Sequence, residues 1–457
     1  MTITRSVLLS VAVTGSFCLL QSSAWARVSA AQAAELDGPK LTCLGAERAG
    51  STDGVAAYTG KYLGTWPGMK KPYGYEPGPY ASEKPLFAIT AQNMAQYVDK
   101  LTEGQQALLQ KYPRDFRMNV YPSHRDFRNP DQVCAVAKQN AITAEVVHDG
   151  KGVSGTTGAI PFPIPQSGLE AIWNVVFAYR AWSEAVTSQT AVVYTNGNIT
   201  WGKARFVDMS PQGPAGKPGS MQDKVAAYFY ISYLEPERDK GMTSVGYQPL
   251  DFSNGSANSW QYMPGLRRVR QAPEVGFDYP VPPAGMHVSD EDGLFNGSPE
   301  RFTWKIVGKK EIYVPYDNFR INDPQIKLAD LVRPHAINPE YERYELHRVW
   351  VIEGTLKPGL RHVYGKRTIY ADEDTWLALW ADNQDTHGKL WRSSYVNYFY
   401  SQESKAFHRG VTVYNDLDLG AYEATYLVNA AGDNWWRLDR KYPLSMFTPE
   451  AAARGGH

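Results

Sequence analysis

Hydrophobic and polar positions divide the chain into a helical stretch followed by a long strand-rich one. Between Thr90 and Ala181 apolar residues recur three and four apart, the spacing of helices with one buried face. Thr90 can cap a first segment with Met94, Tyr97, Val98 and Leu101 on one side. Thr102 and Gln105 form a capping-box pattern ahead of Leu108 and Leu109, and Tyr112-Pro113 ends it. Asn129-Pro130 opens a third helix, with Pro at the tolerated first position. The strongest pattern runs from Ser167 to Ala181. Ser167 and Glu170 match a capping box, and Leu169, Ile172, Trp173, Val176 and Phe177 follow at helical spacing. Trp173 and Phe177, four apart, lie on one face.

From about Thr187 the period changes to two. Ala191–Tyr194 and Ile199–Trp201 flank Asn196-Gly197, a strong hairpin signal. Further strands are predicted at Val225–Leu234, Trp260–Met263, Leu266–Arg270, Tyr344–Glu353, His362–Tyr370, Trp376–Ala381, Leu390–Tyr400 and Val411–Asn415. Polar and apolar residues alternate between Arg361 and Tyr370, which predicts a sheet with two chemically different faces. The short spacing suits antiparallel hairpins. Phe295–Val307 and Asp317–Leu331 read as short helices or loops covering that sheet. The expected fold is therefore α+β: a large curved antiparallel sheet, an open half-barrel, with helices packed on its concave face.

The ends differ from this body. Residues 1–26 read as a secretory signal: Arg5, an apolar run from Val7 to Leu20, and Ala24-Trp25-Ala26 with cleavage after Ala26. The run is too short for a spanning helix, which needs roughly 20 apolar residues. Residues 27–88 are rich in Gly, Pro and Tyr and predict an irregular strap lying on another surface. Residues 89–447 form the expected single domain, helical over about 90–181 and strand-rich over about 187–430, and 448–457 a tail.

Composition narrows the function classes. The chain has 457 residues, with Lys+Arg 47 against Asp+Glu 47. A neutral balance argues against nucleic-acid binding, which needs a basic excess. The 13 Trp, 29 Tyr and 16 Phe supply ample apolar area, while 39 Gly and 30 Pro imply many turns. Past the signal only Cys43 and Cys134 remain. In an oxidising compartment they suggest one disulfide, closing a loop of about 90 residues; two separate buried thiols are the alternative.

No nucleophile elbow, phosphate loop, C-x-x-C or H-E-x-x-H occurs. His347 and His362 lie on adjacent predicted strands, and cross-strand polar packing outweighs a metal pair. Asp372-Glu373-Asp374 separates two strands and reads as a solvated turn with capping carboxylates; binding a cation or acid–base chemistry are the alternatives. Arg267, Arg268 and Arg270 read as cross-sheet ion-pair partners, with anion binding as the alternative. Gly158–Pro165, with three prolines, is either a rigid packed connector or the lip of a ligand cavity.

Several motifs together resemble a known family. They are Leu41-Thr42-Cys43-Leu44-Gly45-Ala46-Glu47-Arg48-Ala49-Gly50, Pro85-Leu86-Phe87-x-Ile89-Thr90, Gly158-x-Ile160-Pro161-Phe162-Pro163-Ile164-Pro165 and Tyr262-x-Pro264-Gly265-x-Arg267-Arg268-Val269-Arg270. Trp304-Lys305-x-x-Gly308-Lys309-Lys310-Glu311, Arg343–Trp350, Leu356–Gly359 and Asp372-Glu373-Asp374-x-Trp376 continue the series. The chain resembles domain-of-unknown-function family thirteen-twenty-nine, exported proteins of Gram-negative bacteria described as outer-membrane-lipoprotein-sorting-like. The resemblance implies a lipoprotein-carrier-like half-barrel and the handling of hydrophobic molecules in the envelope, near exporters and outer-membrane proteins. It carries no catalytic residues.

The expected function is a non-enzymatic periplasmic binder or carrier of a hydrophobic, lipid-like molecule, with no cofactor or metal and not itself an integral membrane protein. An envelope exporter or outer-membrane protein is the implied partner. A scaffold role in an envelope transport complex and a lipid- or glycan-acting enzyme are the alternatives. The expected ligand site is walled by Phe162, Ile164, Ile172, Trp173, Val176 and Phe177, between the Ser167 helix and the sheet.

Overall fold

The computed structural model describes residues 28–69, 74–210, 225–255, 258–271, 277–430 and 435–455. The expected signal segment, residues 1–26, lies outside the described residues. Among the described residues there are six α-helices: α1 Ala30–Ala34, α2 Glu103–Lys111, α3 Asp131–Thr143, α4 Gly168–Val176, α5 Leu328–Leu331 and α6 Pro449–Gly455. The first strands are β1 Phe87–Ile89, β2 Met118–Val120, β3 Glu145–Val147 and β4 Gly152–Ser154. Then come β5 Ser183–Val193, β6 Ile199–Met209, β7 Val225–Glu235, β8 Thr243–Pro249, β9 Asn258–Met263 and β10 Arg268–Gln271. The last are β11 Phe302–Pro315, β12 Tyr344–Leu356, β13 Lys366–Asp372, β14 Ala378–Gln384, β15 Leu390–Ser401, β16 Ala406–Asp416, β17 Ala421–Leu427 and β18 Arg437–Leu438.

All but β3 and β4 belong to one open sheet of 16 strands. Its order is β1-β2-β12-β13-β14-β15-β16-β17-β5-β6-β7-β8-β9-β10, with β11 beside β12 and β18 beside β5. Pairing is antiparallel apart from one parallel bridge, Tyr344 to Val120. Short hairpins generate this pattern locally. At Asn196-Gly197 the Gly adopts φ 80°, which costs Gly little, and Val193 then faces Ile199. Late strands join early ones where β17 pairs with β5, as at Ala424 and Ala191, where β18 pairs with β5, and at the β12–β2 bridge.

Helix starts follow the capping residues. Thr102 and Gln105 make both halves of the capping box of α2. Ser167 accepts from Glu170 N at the start of α4. That helix stops at Val176, with Phe177 already outside helical geometry, so the expected continuation to Ala181 does not occur. Residues 94–100 make only short 3-10 turns before α2. The helices touch the sheet separately: α4 on β11 and β12, α2 on β14 and β15, α6 on β8 to β10, while α1 packs on α3. Pro449–Gly455, expected as a tail, is thus a packed helix.

Phe295–Val307 departs most from expectation. Its second half opens β11, the longest strand, which pairs with β12 along its length. A register shift between Ile306 and Gly308 interrupts the alternation. A bulge inserts one unpaired residue and changes which face follows, and this hides the strand from a period-two reading. Gly168 at the start of α4 sits directly on β11: a Cβ there would lie 2.3 Å from Lys305 N.

Candidate functional site

The strap meets the sheet through charged groups. Arg125 follows β2 and is 2 % exposed. It grips Asp374 with two bonds, Nε to Oδ2 at 2.7 Å and Nη2 to Oδ1 at 2.8 Å. The same guanidinium donates to the carbonyls of Glu47 at 2.6 Å and Ala56 at 3.0 Å. Glu373 receives Lys309 Nζ at 2.5 Å, Arg348 Nη1 at 3.1 Å and the backbone N of Glu47 at 3.2 Å. Trp376 Nε1 donates to Leu44 O at 3.0 Å, and its ring stacks on Trp350. Residues 44–56 are therefore fastened to the turn between β13 and β14.

This corrects the reading of Asp372-Glu373-Asp374 as a solvated turn. The three are 0 %, 1 % and 3 % exposed. The strap covers them, and distant cations compensate their charge. Asp372 Oδ2 accepts from Thr375 Oγ1 at 2.6 Å and Tyr316 OH at 3.1 Å. Burial, then the charge of Asp374, pushes the Asp372 carboxyl up to about 6. His347 stacks on Tyr316 with centroids 3.8 Å apart, and its Nε2 lies 3.2 Å from Glu345 Oε2. Ligand-type atoms of His347, Asp372 and Asp374 lie within 4.8 Å of one another. Arg125 occupies both oxygens of Asp374, so the arrangement works as a charge-balanced clamp.

His347 does not share a network with His362. His362 Nε2 is 3.2 Å from Asp290 Oδ2, and Asp290 also pairs with Arg367 at 2.8 Å. Arg267, Arg268 and Arg270 form no cross-sheet ion pairs among the described residues; all three are exposed at the sheet edge.

A cavity of about 530 Å³ opens where the strap crosses the far end of β15. Leu63 and Met69 come from the strap, Phe319 from a loop, Phe399 from β15, and Trp435 and Trp436 from the segment before β18. The rings form a chain: Phe319–Phe399 at 5.8 Å and Phe399–Trp435 at 6.1 Å. Gln402 Nε2 ties the strap down by donating to Leu63 O at 2.5 Å and Gly64 O at 2.9 Å. Glu403, Gln402 and Lys405 supply polar groups to the lining. Burial, reinforced by Asp439 and Glu76, pushes the Glu403 carboxyl up to about 7.

The six residues expected around a ligand separate. Ile172 is fully buried in the main core, and Trp173 is fully buried with Phe162 and Phe252 in a smaller one. Trp173 and Phe177 stack at 5.5 Å, as their spacing requires. Ile164 packs instead beside Val28, Ala33 and Leu36. Val176 and Phe177 also border a second cavity, of about 170 Å³. Sequence reasoning missed the larger cleft. Its walls come from four separated segments, and only the Leu63-to-Met69 and Trp435-Trp436 clusters of apolar residues within loops hinted at it.

Cys43 and Cys134 are bonded, with Cα atoms 5.0 Å apart. The bridge joins the strap to α3. No helix among the described residues is long and apolar enough to cross a membrane.

The architecture is a large open antiparallel sheet, with the strap fastened to the β13–β14 turn and an apolar cleft where it crosses the end of β15. The chain belongs to the DUF1329 family, described as a protein of unknown function, whose model matches residues 88–453. An uncharacterised protein of Pseudomonas aeruginosa is 40% identical over 467 residues, covering 99% of both chains. A putative outer-membrane lipoprotein-sorting protein domain from Vibrio parahaemolyticus covers 60% of this chain and 92% of its own, at 13% identity and TM-score 0.41. A DUF1329 family protein from Desulfovibrio piger gives the same figures. A LolA superfamily protein from Nitrosomonas europaea covers 63% of this chain and all of its own, at 9% identity and TM-score 0.38.

Proposed function

We propose that the protein is a non-enzymatic periplasmic binder or carrier of a hydrophobic, lipid-like molecule, working with an envelope exporter or outer-membrane protein. The observation that carries this reading is the cleft of about 530 Å³ with walls of Leu63, Met69, Phe399 and Trp435. That volume is in the range of small-molecule sites, roughly 300–1,000 Å³. A ligand burying about 300 Å² of apolar surface there gains roughly 7 kcal/mol before the costs of association. Glu403, Gln402 and Lys405 leave one polar side for a headgroup. In this reading the helices of residues 90–181 line the hollow side of the sheet, and Val176 and Phe177 offer a minor second site. The reading includes export to the periplasm with removal of the signal after Ala26.

The test is direct. Protein purified from its own periplasm is extracted with organic solvent and the extract analysed by mass spectrometry, and the delipidated protein is titrated with N-phenyl-1-naphthylamine. Saturable probe binding that drops about tenfold or more in Leu63→Ser and Trp435→Ala supports the cleft. Binding unchanged in these variants but lost in Phe177→Ser moves the site to the smaller cavity. No extracted apolar molecule and no saturable probe binding would sink the carrier reading.

A further inference from the structure

The outer edge of the sheet carries a surface unconnected with the cleft. β10 pairs with β9 and ends the sheet. The base of this hairpin is anchored: Tyr262 is buried with Val245, Phe447 and Ala452, and Trp260 and Val269 pack against that cluster. The turn is not covered. Met263 and Leu266 are 37 % and 47 % exposed, and a Cβ added to Gly265 would meet nothing within 4 Å. Arg267, Arg268 and Arg270 are exposed as well, and none makes an ion pair among the described residues.

Among the described residues no acidic side chain pairs with these arginines. From Asn258 to Gln271 there are three arginines and no acidic residue, in a chain whose totals are Lys+Arg 47 and Asp+Glu 47. The register places the β7–β8 turn at the same end of the sheet, since Thr243 pairs with both Ser232 and Tyr262. In that turn Arg238 pairs with Asp239 and Lys240 with Glu237, and Glu235 at the end of β7 is exposed. Arg267 also holds φ 48°, a left-handed conformation that favours Gly or Asn.

We propose that this hairpin tip docks the protein on a membrane surface rich in anionic phospholipid. Met263 and Leu266 enter the boundary between headgroups and acyl chains, and Arg267, Arg268 and Arg270 pair with lipid phosphates. Two weak attractions, an apolar tip and a short basic patch, combine into useful affinity where neither suffices. An exposed hairpin turn with nothing packed around Gly265 suits a penetrable surface better than a rigid protein face, which would need a matching pocket. The inference stands whatever occupies the cleft.

The experiment is co-sedimentation of the mature full-length protein with phosphatidylethanolamine vesicles with and without phosphatidylglycerol. Binding is expected only with phosphatidylglycerol, falling as salt rises. Replacing the three arginines by Gln lowers it on the order of a hundredfold, and Met263→Ser with Leu266→Ser about tenfold. Leu266→Trp in an otherwise unchanged chain reports insertion by a blue shift of emission on vesicle addition. Wild-type protein that remains in the supernatant, or binding that survives either set of substitutions, overturns the proposal. So does capture of the arginines by an acidic protein without vesicle binding.

Discussion

The middle and the outer edge of this sheet use the same strand geometry in opposite ways. In β5 to β10 buried positions are interrupted by half-exposed ones, and β10 is mostly exposed. In β13 to β17 almost every residue is buried, and β16 is buried throughout its length. The inner strands nevertheless carry charge: Arg367, Asp382, Arg392, Arg409 and Glu423 are all buried. Their polar face is covered by other chain segments, and the arginines and Glu423 find charged partners, while Asp382 is held by neutral donors. Arg409 pairs with Asp292 and Glu184, Glu423 with His287, and Asp382 accepts Gly104 N at the start of α2. A polar sheet face is thus no proof of a wet one. The inner region holds its covering layer by compensated charge, and the outer region leaves an edge free for contact.

If the inner region depends on paired ions, removing one partner should have the largest effect. Arg125→Met leaves Asp374 buried without its cation and is expected to cost about 3–5 kcal/mol. Urea unfolding measures this; a loss below about 1 kcal/mol would mean that the strap is not held by this clamp. The disulfide comes next. Cys43→Ser with Cys134→Ser releases a bridge of sequence separation 91, expected to cost about 4 kcal/mol by loop entropy. Thiol titration of unfolded, unreduced protein should first find no free Cys.

The third comparison uses pH. Glu342 is fully buried beside Asn397, and burial pushes its carboxyl from 4.5 up to about 8. The folded state then holds a proton that the unfolded chain releases near its ordinary value. Stability from this group is greatest below about 4.5 and falls as pH rises toward 8. Glu342→Gln mimics the protonated form and should flatten that decline, gaining on the order of 1–3 kcal/mol over wild type at pH 8. Melting temperatures across the range report it, and parallel pH curves for the two proteins would refute it. At the outer edge the expected effect on stability is smallest. Arg268→Gln should change stability by less than about 0.5 kcal/mol, because its side chain pairs with nothing among the described residues. A loss of several kcal/mol there would show that the edge is part of the packed body after all.

Much of the architecture was legible in local sequence. Capping residues located α2 and α4 because a cap is satisfied within three residues. Asn196-Gly197 located a hairpin because the turn conformation belongs to those residues. β11 was missed because its bulge breaks the alternation at Val307, and the preceding loop masked its start. His347 and His362 looked like neighbours on paired strands, yet His362 falls in the loop before β13 and turns to Asp290. The alternation between Arg361 and Tyr370 correctly implied two faces. It did not say that both would be covered.

By itself, then, the sequence determined the capped helices α2 and α4, most of the antiparallel strands, the family and the two cysteines available to bridge, since all of these depend on residues close in the chain or on identity alone. Only the tertiary structure decided that Asp372, Glu373 and Asp374 lie beneath the strap, that Arg125 closes on Asp374 across 249 positions, and that the larger apolar cleft lies under Leu63 and Trp435. The physical reason is the same in each case. Burial of a charge and the shape of a cavity depend on which distant segments come to lie over them, and no local periodicity records that.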